Sequence, residues 1–251
     1  MTLWRPLLGL AAFGALWELL PRIGAVPARW APPLSRVVQE LLVEVRQPRF
    51  WDAIRDTLLT WAIGLGIAVA AGIVVGVTIG AIPLLRTVTA STIEFLRPIP
   101  SVALIPLVVL LYGTTIRSAL VLVVYASFWQ VLIQVLHGVA DVDPVARDTA
   151  DVYRLPKVRY LYWPTALPYV ATGVRLATSV ALILAVTGEM VIGAPGLGKQ
   201  IWLAQQSDAV PLMYALVLVT GLIGVAANVL ARFAERRALA WHPSVRREVP
   251  A

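Results

Sequence analysis

Four stretches of this chain carry no Asp, Glu, Lys or Arg and are long enough to cross a membrane: Thr57–Leu85, Pro98–Ile116, Ser118–Ala140 and Ala209–Ala231. A helix needs roughly 20 residues to span a hydrocarbon core of about 30 Å, and the shortest of these runs has 19. A water-soluble domain can bury one such helix, but four within 251 residues leave almost no amphipathic surface to face water. With 59% hydrophobic residues and a mean hydropathy of +0.80, the chain reads as an all-α integral membrane protein.

Two further crossings follow from weaker patterns. Leu7–Leu20 is apolar except for Glu18, follows Arg5 and is bounded by Pro21; no small-residue cleavage site succeeds it, so it reads as a short retained helix. Tyr169–Ile192 is interrupted by Arg175 and Glu189. The remaining expectations are a helix from about Trp51 to Ile82, a broken crossing, and helices at Ile116–Leu136 and Pro211–Phe233, which makes six. Residues 1–50 then form an N-terminal crossing with an external or interfacial connector, 51–236 a membrane core with a polar loop at 141–168, and 237–251 a tail. The connector should hold a short amphipathic helix near Ser35–Val45, capped by Ser35, with Val37, Val38, Leu41 and Leu42 on its apolar face.

Local residue choices refine two crossings. Gly72, Gly76 and Gly80 fall on one helical stripe and invite close approach of a neighbouring backbone. Pro98, Pro100 and Pro106 forbid one straight helix, so a helix should end near Leu96 and another begin near Ser101. Irregular backbone at membrane depth is tolerated where protein or a water-filled cavity covers it, which marks this segment as a candidate lining for a path.

An even number of crossings puts both termini on one side. Placing them in the cytoplasm gives that side thirteen of the 21 Lys and Arg residues and the opposite side eight, as the positive-inside tendency favours. The loop VDPVARDTADVYRLPKVRYLYWPTALP is then cytoplasmic. Asp143 followed by Pro144 marks a helix start, Asp143–Arg147 and Arg147–Asp151 are spaced for pairing, and Pro156 ends or bends the helix. Tyr153, Leu155, Val158 and Tyr160 leave an aromatic and apolar surface among charges. That surface suits docking into another protein, or an ordinary solvated loop touching headgroups.

Path or gate candidates are residues that are polar or irregular at depth: Glu94, Arg97, Pro98, Pro100, Ser101, Ser127, Gln130 and Glu189, with Thr87, Ser91 and Thr92 as further hydrogen-bonding groups and Tyr125, Phe128 and Trp129 as a wall. Glu94 can contact solute or pair with Arg97. Glu189 can gate or dock a partner, or be satisfied by amides of the turn containing Pro195, Gly196 and Gly198. For an anionic solute the main candidate base is Arg175, although snorkelling to cytoplasmic headgroups is the favoured reading at its depth. The absence of cysteine excludes thiol chemistry, and His137 and His242 do not suggest a metal cluster. The net charge of +7 sits mostly outside the apolar runs, so lipid surfaces explain it better than nucleic acid.

Three segments in order, RPIPSVALIPLVVLLYG, DPVARDTADVYRLPKVRY with its later TALP, and GEMVIGAPGLG, resemble the membrane-spanning permease subunits of bacterial ABC importers, nearest to the nitrate, sulfonate, taurine and thiamine-precursor branch. The resemblance covers about Trp51 to Arg236. It implies a six-helix type I importer permease fold in the bacterial inner membrane, a second permease chain, two ATP-binding cassette subunits that use ATP and Mg, and an extracytoplasmic solute-binding protein. No cofactor is expected on this chain, which has no phosphate-binding GxxxxGK[ST] loop. The polar loop would be the coupling helix, with Asp148, Thr149 and Ala150 standing for the family's acid-alanine-alanine and Leu167-Pro168 for its closing pair. Docking would involve Pro144, Arg147, Asp148, Thr149, Ala150, Tyr153, Arg154, Leu155 and Tyr160. The family's glycine falls at Arg154, and the spacing onward is about three residues short; such a departure suits one half of a heterodimeric permease, with a homodimer as the other arrangement. A secondary transporter or channel acting without an ATPase is the alternative reading.

Overall fold

A computed structural model describes residues 4–240 and contains ten α-helices among them. In chain order they are α1 (Trp4–Arg22), α2 (Leu34–Glu44), α3 (Pro48–Ala81), α4 (Pro83–Leu96), α5 (Ile105–Tyr112), α6 (Ile116–Ala140), α7 (Pro144–Val152), α8 (Trp163–Ile192), α9 (Leu197–Gln206) and α10 (Val210–Ala238). A 3-10 turn at Ser101–Leu104 leads into α5, and a π-helical segment at Val158–Tyr162 leads into α8.

The bundle is organised by α3, α6 and α8. A Cβ added to Gly72, Gly76 or Gly80 would lie 2.8, 2.7 or 2.8 Å from the Cβ of Val131, Val135 or Val139, so the glycine stripe admits the α6 valines into direct contact with the α3 backbone. The partners keep a constant offset along both chains, which means that α3 and α6 run parallel. Two parallel helices joined by residues 82–115 require the chain to return to its starting face between them. The α4–α5 pair makes that return, bent by 81° at the Arg97–Pro100 break. α8 runs antiparallel to α6, with Gly138 against Ala166 and Gly173 against Val131.

Four helices are long and apolar enough to cross a membrane, and five spans result when the bent pair counts as one. The expected sixth, Leu7–Leu20, is not among them. Its uncharged part, Leu7–Trp17, is only about 17 Å long at 1.5 Å per residue. Beyond it Glu18 pairs with Arg22 and accepts hydrogen bonds from Ser35 N (2.8 Å) and Ser35 Oγ (2.9 Å). Ser35 therefore does not cap α2; Glu18 does so from a distance. Val37 is buried and Leu41 partly buried, while Val38 and Leu42 of the expected apolar face are exposed.

Other boundaries moved for physical reasons. The fifth expected crossing begins earlier than Tyr169, because Pro156 opens a helix and does not simply close one: Tyr160 N donates to its carbonyl at 3.2 Å. The resulting rod, Val158–Ile192, tolerates Pro168 within it. Of the tail 237–251, residues 241–251 lie outside the described residues.

Candidate functional site

At the end of the bundle where α6 and α8 meet, α7 is built as a small self-contained unit. The Asp143 side chain accepts from Val145 N at 2.8 Å, capping the helix, and Pro144 stands at its first position. At the other end Leu155 N donates to Ala150 O (2.9 Å) and Arg154 N to Asp151 O (3.1 Å), the paired pattern of a Schellman motif. That motif needs a left-handed residue, and Arg154 supplies it at φ +51°. The backbone thus adopts at Arg154 the conformation for which glycine is suited, at a cost of about 1 kcal/mol for a residue with a Cβ.

The expected pairs Asp143–Arg147 and Arg147–Asp151 do not form among the described residues. Asp143 is taken up by the cap, and Asp151 binds Lys157 at 2.6 Å across the turn. Arg147 is half-buried and Ala150 buried, while Asp148 and Thr149 face outward. Val145, Val152 and Tyr153 are 71%, 79% and 72% exposed. Leu155 and Tyr160 are exposed too, with the Arg159 guanidinium over the Tyr160 ring. Tyr169 in α8 donates to Asp141 at 2.8 Å, tying the start of the loop to the rod that follows it.

A cavity of about 550 Å³ opens between α4 and the last turns of α6. It brings together the predicted Glu94, Arg97 and Pro98 with Arg86 and His137. Arg86, Ala90, Ile93, Glu94 and Arg97 recur at helical spacing, so one face of α4 presents them all. Neither Arg86 nor His137 was singled out as a path residue from the sequence; the α4 spacing could have flagged Arg86, whereas His137 comes from α6. Pro100, Ser101, Ser127 and Gln130 are not among the lining residues: Pro100 and Ser101 form the break itself, Gln130 is half-buried, and Ser127 is fully buried with no hydrogen-bond partner. The Glu94–Arg97 ion pair, one of the two readings of Glu94, is absent among the described residues. Arg175, the candidate base for an anionic solute, lies 3.7 Å from Glu235.

Glu189 sits near the opposite end of α8, fully buried. Its Oε2 accepts from Thr57 Oγ1 (2.8 Å) and Gly198 N (3.0 Å), and Thr57 Oγ1 accepts from Leu197 N (2.8 Å). Gly196, which precedes α9, has no side chain to cap it, and a Cβ there would collide with the Glu189 carboxylate. Thr57 and Glu189 together cap α9 from α3 and α8, placing an acid at the positive end of a helix. Pro195 and the two glycines shape the turn. Thr57 was missed because nothing in sequence links it to a turn 140 residues away. Among the described residues no cluster suited to a metal ion is present.

Residues 68–239 match the family described as binding-protein-dependent transport system inner membrane component. The chain is 28% identical to the taurine transport system permease protein of Escherichia coli, over 94% of this chain and 89% of that one. It is equally 28% identical to the bicarbonate transport system permease protein of Synechococcus elongatus, over 88% and 84%. Among solved structures, a bacterial ABC transporter importing the polysaccharide alginate superposes with TM-score 0.67 at 14% identity, covering 94% of this chain and 95% of that one. A methionine ABC transporter in inward-facing conformations gives 0.64 at 18% identity, over 79% and 96%. With the family match running from within α3 to the end of α10, this chain belongs to the inner-membrane components of binding-protein-dependent transport systems.

Proposed function

We infer that this chain, a permease subunit of an ABC importer, works through two coupled places: the α7 surface, which docks on an ATPase subunit, and the α4–α6 cavity, which forms part of the path for a small polar or organic solute. The observation that carries this reading is the exposed apolar set on α7. Val145, Val152 and Tyr153 stand out from a rigidly capped helix, and such a surface wants a protein groove. The chain itself does not hydrolyse ATP, so the energy enters through partners that bind ATP and Mg.

Motion at α7 has a rigid route outward. The rod Val158–Ile192 is about 50 Å long at 1.5 Å per residue, and it carries Glu189 and the α9 cap at its far end. Closure of the ATPases on nucleotide would tilt this rod and exchange access between the two faces. The proposed assembly holds two ATPase subunits, a second permease chain covering the exposed α4 face, and a solute-binding protein on the far side. In this reading α7 and the end of α10 are cytoplasmic, and five spans put the start of α3 on the opposite face. The left-handed Arg154 supports pairing with a non-identical permease, since it weakens a capping motif that a partner could keep intact.

The test is solute-stimulated ATP hydrolysis and uptake by the purified complex in lipid, with and without Asp148→Arg. Reversing this exposed charge should uncouple hydrolysis from uptake while leaving assembly intact. Stimulated hydrolysis and uptake that both survive unchanged would remove α7 from the coupling role.

A further inference from the structure

The connector between α1 and α2 is pinned at the edge of the membrane. Tyr214 Oη in α10 donates to Trp30 O at 3.1 Å, and Trp17 Nε1 in α1 donates to Pro32 O at 3.1 Å. The Trp17 and Tyr214 rings also meet, 5.9 Å apart. Amphipathic rings of this kind gather at headgroup level. The charges give the same level: Asp208 is the last before the uncharged run Ala209–Ala231, so hydrocarbon begins near the first turn of α10. A cavity of about 520 Å³ straddles this boundary. Arg29, Arg36 and Asp208 supply its charges, while Val210 and Pro211 line it where the apolar run starts. The arginines of this region are unequally satisfied. Arg22 pairs with Glu18, Arg49 with Glu44 at 2.8 Å and Arg55 with Asp56 at 3.8 Å. Among the described residues Arg29 and Arg36 have no carboxylate within ion-pair distance, although Asp208 shares their cavity and Glu40 stands four residues beyond Arg36 in α2. The Arg29 guanidinium lies 5.1 Å from the centre of the Trp30 ring, which orients it without neutralising it.

We propose that this cavity binds an anionic phospholipid of the leaflet opposite α7, with Arg29 and Arg36 on its phosphate and with Val210 and Pro211 against the start of its acyl chains. Two guanidinia against one carboxylate leave a net positive charge, and arginine forks suit phosphate oxygens. Lipid also fits the depth, because an amphiphile matches a charged rim and an apolar wall in one cavity. An acidic patch on a soluble protein would meet the two arginines and leave that wall unfilled. The α7 surface and the α4–α6 cavity play no part in this site.

The intact complex in phosphatidylcholine nanodiscs, given a trace of phosphatidylglycerol with a photoreactive group at the head of one acyl chain, tests this. Crosslinks should map to the first turn of α10 around Val210 and Pro211. Unlabelled phosphatidylglycerol should compete, and inorganic phosphate should not. Each arginine beside an anionic headgroup is worth about fivefold in affinity, so Arg29→Gln combined with Arg36→Gln should lower the crosslinking yield roughly 25-fold. Arg46→Gln should leave it unchanged, since Arg46 is exposed in the same connector but does not line the cavity. A yield that survives the double substitution, falls as far with Arg46→Gln, or is displaced by inorganic phosphate overturns the assignment. If the double variant instead loses affinity for the solute-binding protein while its crosslinking stays intact, the cavity is a protein contact and the lipid assignment falls.

Discussion

Thr57 is the least conspicuous residue of the chain and one of the most constrained. Replacing it by Val keeps its shape and removes the oxygen that accepts from Leu197 N and donates to Glu189 Oε2, both at 2.8 Å in a fully buried place. The substitution orphans one buried amide and takes one of two donors from a buried carboxylate. A buried polar group left without a partner costs about 1–3 kcal/mol, so the pair of losses should cost roughly 2–5 kcal/mol. For a domain of this size that corresponds to a melting shift of roughly 5–15 °C. Thermal unfolding of the intact complex in lipid, read from this subunit, measures it. Thr57→Ser keeps the hydroxyl and should recover most of the loss. If Thr57→Val melted within about 1 °C of the parent, the account of α9 as capped in trans by α3 and α8 would be wrong.

Arg154→Gly should relieve the left-handed strain and raise the stability of the α7 unit by up to about 1 kcal/mol, seen as slower amide exchange at Leu155, while Arg154→Val should do the reverse. Gly76→Leu should prevent the close approach of α3 to Val135 and lower complex yield sharply in solubilised membranes, whereas the same change at Gly66, which meets nothing within 4 Å, should be tolerated. Glu235→Gln should leave uptake essentially intact, since the Arg175–Glu235 pair is assigned to neither docking nor path.

Much of the fold was legible in the sequence because membrane helices declare themselves by length and charge. The uncharged runs located α3, α6 and α10, the prolines located the break between α4 and α5, and Asp143-Pro144 located the start of α7. Glycine spacing foretold contact at α3, though not that the intruding residues would be the α6 valines. What escaped was whatever depends on two distant segments meeting. Glu18 reaches Ser35, Thr57 reaches Leu197, and Arg86 shares a cavity with His137, none at a spacing that a helical pattern can reveal. The first crossing was misjudged by counting Leu19 and Leu20 beyond Glu18 as membrane, when Glu18 is committed to polar partners. Arg154 is a different case: the sequence flagged a non-glycine residue where a tight turn was wanted, and the backbone took the left-handed conformation regardless.

The docking of α7 on a nucleotide-driven partner is tested most directly by one cysteine at Val152, which is 79% exposed in a chain with no other. Labelled by a membrane-impermeant reagent, Val152→Cys should react from the cytoplasmic side when this subunit is alone. It should become protected when the ATPase subunit is bound and crosslink to that subunit alone. Labelling from the opposite side, or equal reactivity with and without the bound ATPase, would contradict the account.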